Sequence, residues 1–253
     1  MNRDYITRHS ENLGRDMNVI VYGNAGYPMI AFPTQDSPCT NYEDFGMVDN
    51  LADYIEQGRI QLVCVDSVDK DSWSKLGGDK LWRADVQEAY YHYVCDELVP
   101  FVHEVNHSDL RPLTTGCSMG ATHAVIVSLR RPDLFEGCIA LSGVYDASYF
   151  FGDWMNGTLY ANSPVHFLPN MSPSHPYVDL YNKRTLIICV GQGAWEDEGL
   201  RDAHILDDAF RHLGVHAWCD FWGYDVNHDW PWWKKQIRYF LPIVLEDAAR
   251  QEE

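Results

Sequence analysis

The chain has 253 residues and carries 37 acidic against 19 basic side chains, a formal charge of −18 whose field repels phosphate backbones and anionic lipid surfaces. Nucleic-acid and membrane-surface binding are therefore poor readings, and neutral or cationic small molecules are favoured over polyanions. Hydrophobic residues make up 46%, enough for a large core, and the polar start "MNRDYITRHSENLGRDM" reads as neither a signal peptide nor a membrane span.

Along the chain, short β-branched runs alternate with longer amphipathic ones. Strands are predicted at Met17 to Gly23 and Pro28 to Pro33, joined by the short "NAGY" turn as an antiparallel hairpin. A helix over Glu43 to Gln57, a strand over Ile60 to Asp66 and a long helix over Arg83 to Val105 follow. The strand Pro112 to Cys117 then leads into a helix, Met119 to Arg130, that stops at "RRPD" because proline cannot continue it. After the strand Gly137 to Gly143 comes Tyr145 to Arg184, rich in aromatics, Pro, Asn and Gly. It is too long for a plain connection and reads as a substrate-covering insertion. The strand Arg184 to Gly191, a helix Leu200 to Leu213 closed by Gly214, the strand His216 to Trp222 and a helix Trp232 to Ala249 complete the set. Near-continuous apolar strands separated by helices imply one α/β domain over residues 1–253, a mostly parallel sheet with helices on both faces.

The stretch "TTGCSMGATHA" sets Ser118 between Gly116 and Gly120, directly after a predicted strand and directly before a predicted helix. A sharp turn there would raise the serine at the carboxyl edge of the sheet and aim free N–H groups of the helix at the same point. A serine needs a base at neutral pH. His228 lies in "GYDVNHDWPWW", after the last strand and before the last helix. Glu196 and Asp197, just past the strand "LIICVG", are the candidate acids, whereas Asp202, Asp207 and Asp208 are expected on the next helix, facing solvent. The order serine, acid, histidine is that of the α/β-hydrolase fold. A rival motif, "HEVNH" with His103 and His107, has zinc-hydrolase spacing, but "NHSDLRP" ends the helix it would need and no third ligand follows. Seven scattered cysteines without a CxxC pair suggest free thiols in a reducing, cytoplasmic compartment.

The elbow "GCSMGA", the turn "VGQGAWED" and the segment "GYDVNHDWPWW" resemble the esterase-type α/β-hydrolases grouped with esterase D, feruloyl esterases, enterochelin esterase and the mycolyltransferases, over about Asn18 to Leu245. The resemblance implies an acyl-enzyme mechanism with Ser118 as nucleophile and His228 as base, and neither metal nor organic cofactor. Two departures stand out. Many relatives place the acid where this chain has Ala194, which moves it to Glu196 or Asp197; Glu196 is preferred because Trp195 beside it would orient the turn. The usual His-Gly or Asp-Gly pair that lends an oxyanion donor is replaced by "AFPTQDSPC", leaving the backbone N–H of Gln35 to join that of Met119. Trp195, Trp154, Tyr224 and Trp230, with Tyr149, Phe150 and Phe151, are expected to wall the site for a small-molecule ester, with an apolar, aryl or sugar part. Acyl transfer by the same residues and a non-catalytic ligand-binding hydrolase fold are the alternatives. Oligomeric state, a homo-oligomer included, is left open.

Overall fold

The computed structural model describes residues 1–251. Its strands are β1 (Arg3–Ser10), β2 (Arg15–Tyr22), β3 (Tyr27–Phe32), β4 (Ile60–Val65), β5 (Leu113–Cys117), β6 (Gly137–Leu141), β7 (Thr185–Val190) and β8 (Trp218–Phe221). They form a single sheet in the order β1-β2-β4-β3-β5-β6-β7-β8, parallel from β4 to β8. Because side chains alternate along a strand, Val19, Val21, Ile30, Phe32, Val63 and Val65 feed one core, and Ile20, Tyr22, Met29, Ala31, Leu62 and Cys64 feed the other. Burial on both faces explains why these strands read as continuous apolar runs.

The predicted hairpin between the first two apolar strands does not form. β2 pairs antiparallel with β4, and β4 lies between β2 and β3, so "NAGY" carries the chain past a strand that comes later in the sequence. Each of these strands is buried on both sides and needs two neighbours. The hairpin partner of β2 is β1, paired over all eight residues from Arg3↔Tyr22 to Ser10↔Arg15. That strand escapes a hydrophobic pattern because Arg3, Asp4, Arg8 and His9 are solvated, as suits a sheet edge.

The helix predicted over Glu43 to Gln57 is three single turns, α1 (Asn41–Asp44), α2 (Met47–Asn50) and α3 (Ala52–Glu56), interrupted at Gly46 with φ 69° and at Leu51. The long helix runs as α4 (Lys80–His92), a π-helical turn Tyr93–Leu98 and α5 (Val99–Asn106). Pro100 explains the widened turn: its ring would crowd the carbonyl four residues earlier and it has no N–H to give. α6 (Met119–Arg130) coincides with its prediction.

The region from Tyr145 to Arg184 folds as four short helices, α7 (Ser148–Phe151), α8 (Gly157–Ala161), α9 (Pro164–Phe167) and α10 (Pro176–Tyr181), before α11 (Asp197–Leu213) and α12 (Trp230–Gln251). It is packed down, with Tyr145, Phe151, Leu159, Leu168 and Tyr181 buried. Two buried charged side chains hold it. Arg83 donates to the carbonyls of Ser72, Trp73 and Phe150 and lies 4.1 Å over the Phe151 ring. Asp202 accepts the backbone N–H groups of Tyr145 and Asp146 at 2.8 and 2.9 Å.

Asp202 thus corrects the expectation of a solvent-facing residue. It belongs to the buried stripe of α11 with Gly199, Ala203, Leu206, Phe210 and Leu213, and burial raises its carboxyl pKa against the pull of Arg201 and the two amides. Replacing Asp202 by alanine is expected to cost about 2–4 kcal/mol, since one buried and one partly buried N–H group lose their acceptor. Urea unfolding checks this; an unchanged midpoint would show that the insertion is held by packing alone.

All seven cysteines are free and six are buried. Among the described residues no helix is long and apolar enough to cross a membrane.

Candidate active site

The loops that follow β3, β5, β6, β7 and β8 all leave the carboxyl edge of the parallel strands, where ligand sites of such sheets lie. The central loop is a single residue. Ser118 separates β5 from α6 with φ 57° and ψ −126°, a conformation L-residues rarely adopt, and its backbone N–H donates to Leu141. A Cβ on Gly116 would lie 2.0 Å from the carbonyl carbon of Gly120, and one on Gly120 would lie 2.3 Å from the oxygen of Phe32. Both glycines are therefore steric necessities of the turn. Gly120→Ala is expected to destabilise the fold by roughly 3 kcal/mol or more, because the obstruction is backbone that cannot yield. Thermal or urea unfolding, or loss of soluble protein, would register it.

Ser118 makes no side-chain cap to its own helix. Its Oγ lies 2.9 Å from Nε2 of His228, whose Nδ1 lies 3.0 Å from Oε2 of Glu196. With the carboxylate accepting Nδ1–H, the imidazole presents a lone pair at Nε2 to the serine hydroxyl. The residue is fixed by its backbone N–H, which donates to the carbonyl of Ala194, and its ring by Trp233, which meets it edge-on at 4.9 Å. Glu196 is 1% exposed, and its other oxygen accepts from the Ser142 hydroxyl at 2.7 Å and the Gly191 N–H at 3.3 Å. Ser142 in turn accepts the indole N–H of Trp233 at 3.0 Å. Trp233 therefore both walls the imidazole and directs the Ser142 proton to the carboxylate.

Of the two candidate acids, the structure brings Glu196 to His228 and leaves Asp197 exposed at the first position of α11. The turn before them explains the offset from Ala194. Gly193 N–H and Ala194 N–H donate to Val226 and to Asn227 Oδ1, and a Cβ on Gly191 would stand 2.1 Å from the Val226 carbonyl. The turn is thus stitched to the loop carrying His228, and Trp195 at φ 67° turns the chain back so that Glu196 reaches inward.

Met119, at the start of α6, and Gln35 border the same cavity as Ser118 and His228. The Gln35 loop is held by Thr34 N–H on Asn41, by Ser37 N–H on Thr34, and by the Gln35 amide on Ser74 at 2.7 Å. Beneath it is a contact the sequence reading missed. His123 of α6 and Asp69, 1% and 0% exposed, meet at 2.8 Å, and the other Asp69 oxygen accepts Asp36 N–H at 3.4 Å. The helix that begins after Ser118 and the loop that carries Gln35 are joined through this pair. His123 stood in the quoted elbow, but nothing in the sequence paired it with a loop aspartate 54 positions earlier.

The cavity, of about 320 Å³, takes in Trp195, Tyr149 and Phe150 from the expected aromatic set. Trp154, Tyr224 and Trp230 are not brought to it. Trp154 stacks on Phe151, Trp230 stacks on Phe45 at 4.8 Å, and Tyr224 is a solvent-exposed loop residue. Cys117, next to Ser118, is no rival nucleophile: burial raises its thiol pKa far above the ordinary range and its sulfur faces the Tyr42 hydroxyl. In the zinc-like motif, Nε2 of His103 is engaged by the Leu110 carbonyl, and His107 ends the helix at φ 56°. The two rings therefore do not share a helical face, and among the described residues no three ligand-type side chains gather there.

A parallel sheet of this order, with its serine on a strained strand-to-helix turn, defines the α/β-hydrolase fold. The family model described as "Putative esterase" matches residues 10–242, and the chain belongs to that esterase family. No curated protein matches the sequence. Among solved structures, a ferulic acid esterase is 17% identical with a TM-score of 0.75, over 97% of this chain and 98% of that one. Mycobacterium tuberculosis MPT51 is 14% identical with a TM-score of 0.74, covering 98% and 99%. The S-formylglutathione hydrolase FrmB of Staphylococcus aureus is 17% identical with a TM-score of 0.69, covering 96% of each. At such identities the likeness is one of fold.

Proposed function

We propose that this chain hydrolyses a carboxylic ester through an acyl-enzyme on Ser118. The observation that carries the reading is the unbroken hydrogen-bonded line from Ser118 Oγ through both nitrogens of His228 to the buried carboxylate of Glu196. In the first step His228 Nε2 takes the hydroxyl proton as Oγ adds to the ester carbonyl, and Glu196 stabilises the imidazolium. The N–H groups of Met119 and Gln35 receive the tetrahedral oxyanion at the positive end of α6. Collapse expels the alcohol, protonated by His228. Water, deprotonated by the same nitrogen, then adds to the acyl-enzyme, and Ser118 leaves with its proton restored.

A cavity of about 320 Å³ suits short acyl and alcohol parts. A fluorophosphonate probe should label the protein once, with the adduct mapped to Ser118, and p-nitrophenyl acetate or butyrate should be cleaved faster than the laurate. A wild-type protein that takes no label would overturn the proposal.

A further inference from the structure

The cavity beside Ser118 has an uneven charge. Its lining contains one carboxylate, Glu198, and neither lysine nor arginine. Among the described residues the Glu198 carboxylate has no hydrogen bond and no cation within ion-pair distance. Arg201, one turn along α11 and within its field, is engaged by Asp202 at 2.8 Å and Asp146 at 3.7 Å. Two aromatic side chains of the same lining are largely exposed, Trp195 at 84% and Tyr149, which meets Phe150 at right angles, at 56%. Trp195 is held there by a left-handed backbone, which a bulky residue adopts only under constraint.

An unpaired carboxylate with two open aromatic faces around one small cavity is the chemistry that recognises an ammonium group. The carboxylate supplies the counter-charge, and the rings supply their negative faces. The chain's charge of −18 adds a long-range pull of the same sign. An anionic substrate would meet the reverse: no cation in the lining and a carboxylate within the cavity.

Resting on the esterase reading above, we propose that the site takes esters bearing an ammonium or quaternary ammonium group, paired by Glu198 and flanked by Trp195 and Tyr149. The test uses matched esters that differ only in charge. Choline acetate ester is set against its neutral isostere 3,3-dimethylbutyl acetate, and betaine ethyl ester against ethyl 3,3-dimethylbutanoate, so that the charge sits on the alcohol in one pair and on the acyl group in the other. Each kcat/KM is divided by the ester's hydroxide-catalysed rate to remove intrinsic reactivity. The cationic member of at least one pair is expected to be favoured roughly five- to tenfold at low ionic strength, as for a partly exposed charge pair with aromatic support. That ratio should shrink in Glu198→Gln and at high salt.

Flat ratios in both pairs, or a preference that survives Glu198→Gln, overturn the proposal. So does a protein that labels with fluorophosphonate yet cleaves none of the four esters, or a Glu198-dependent preference for sugar acetates in place of the cationic ones. In each of these cases labelling at Ser118 leaves the esterase reading standing. Absence of labelling removes both.

Discussion

Ser118→Ala is expected to abolish fluorophosphonate labelling and to lower kcat/KM on p-nitrophenyl butyrate by about 10⁴- to 10⁶-fold, leaving a residue of activity from the backbone donors alone. The argument is local. Ser118 Oγ touches His228 and caps no helix, so its removal deletes the reacting atom without deleting a structural bond. The strained turn is set by Gly116, Gly120 and the strand above them, and it stays as it is. The unfolding midpoint should therefore move little while turnover collapses. A variant that keeps more than about a hundredth of wild-type activity would contradict the proposed mechanism. Activity that fell with a chelator and survived Ser118→Ala would overturn the proposed mechanism as well.

The second large effect separates two adjacent acids. Glu196→Gln is expected to reduce kcat by about 10³- to 10⁴-fold, whereas Asp197→Asn should stay within about twofold of wild type. A glutamine can turn its amide N–H₂ toward Nδ1 of His228, and the imidazole then carries its proton on Nε2, pointing at Ser118 with no lone pair to offer. The carboxylate that would have stabilised the imidazolium is gone as well. Asp197 sits exposed at the start of α11, where its charge meets only the helix dipole and solvent. Steady-state kinetics on one activated ester decide the matter, and reversed effects would reassign the acid.

How far the sequence went is clear from these same residues. Ser118 was legible because a glycine-flanked serine between a strand and a helix is a local arrangement, visible within eleven letters. His228 was legible from its place in the element order. The choice between Glu196 and Asp197 was not settled by pattern, since it turns on the left-handed Trp195 and on the contact of Gly191 and Gly193 with the loop around Val226. β1 was invisible to hydrophobic periodicity because an edge strand can be polar on both faces. The place of β4 between β2 and β3 is a long-range fact that a short turn such as "NAGY" conceals. Burial of Asp202 follows from its phase on α11, which residue type alone does not reveal. Trp154 and Trp230 failed as cavity residues because aromatic side chains are as useful for packing as for binding.

The buried contact between His123 and Asp69 has a consequence for the proposed mechanism. The two amides meant for the tetrahedral oxygen belong to segments more than eighty residues apart, and the imidazole–carboxylate bridge joins those segments in addition to the pairing of β3 with β5. On the proposed mechanism their alignment is established when the chain folds, before any ester arrives.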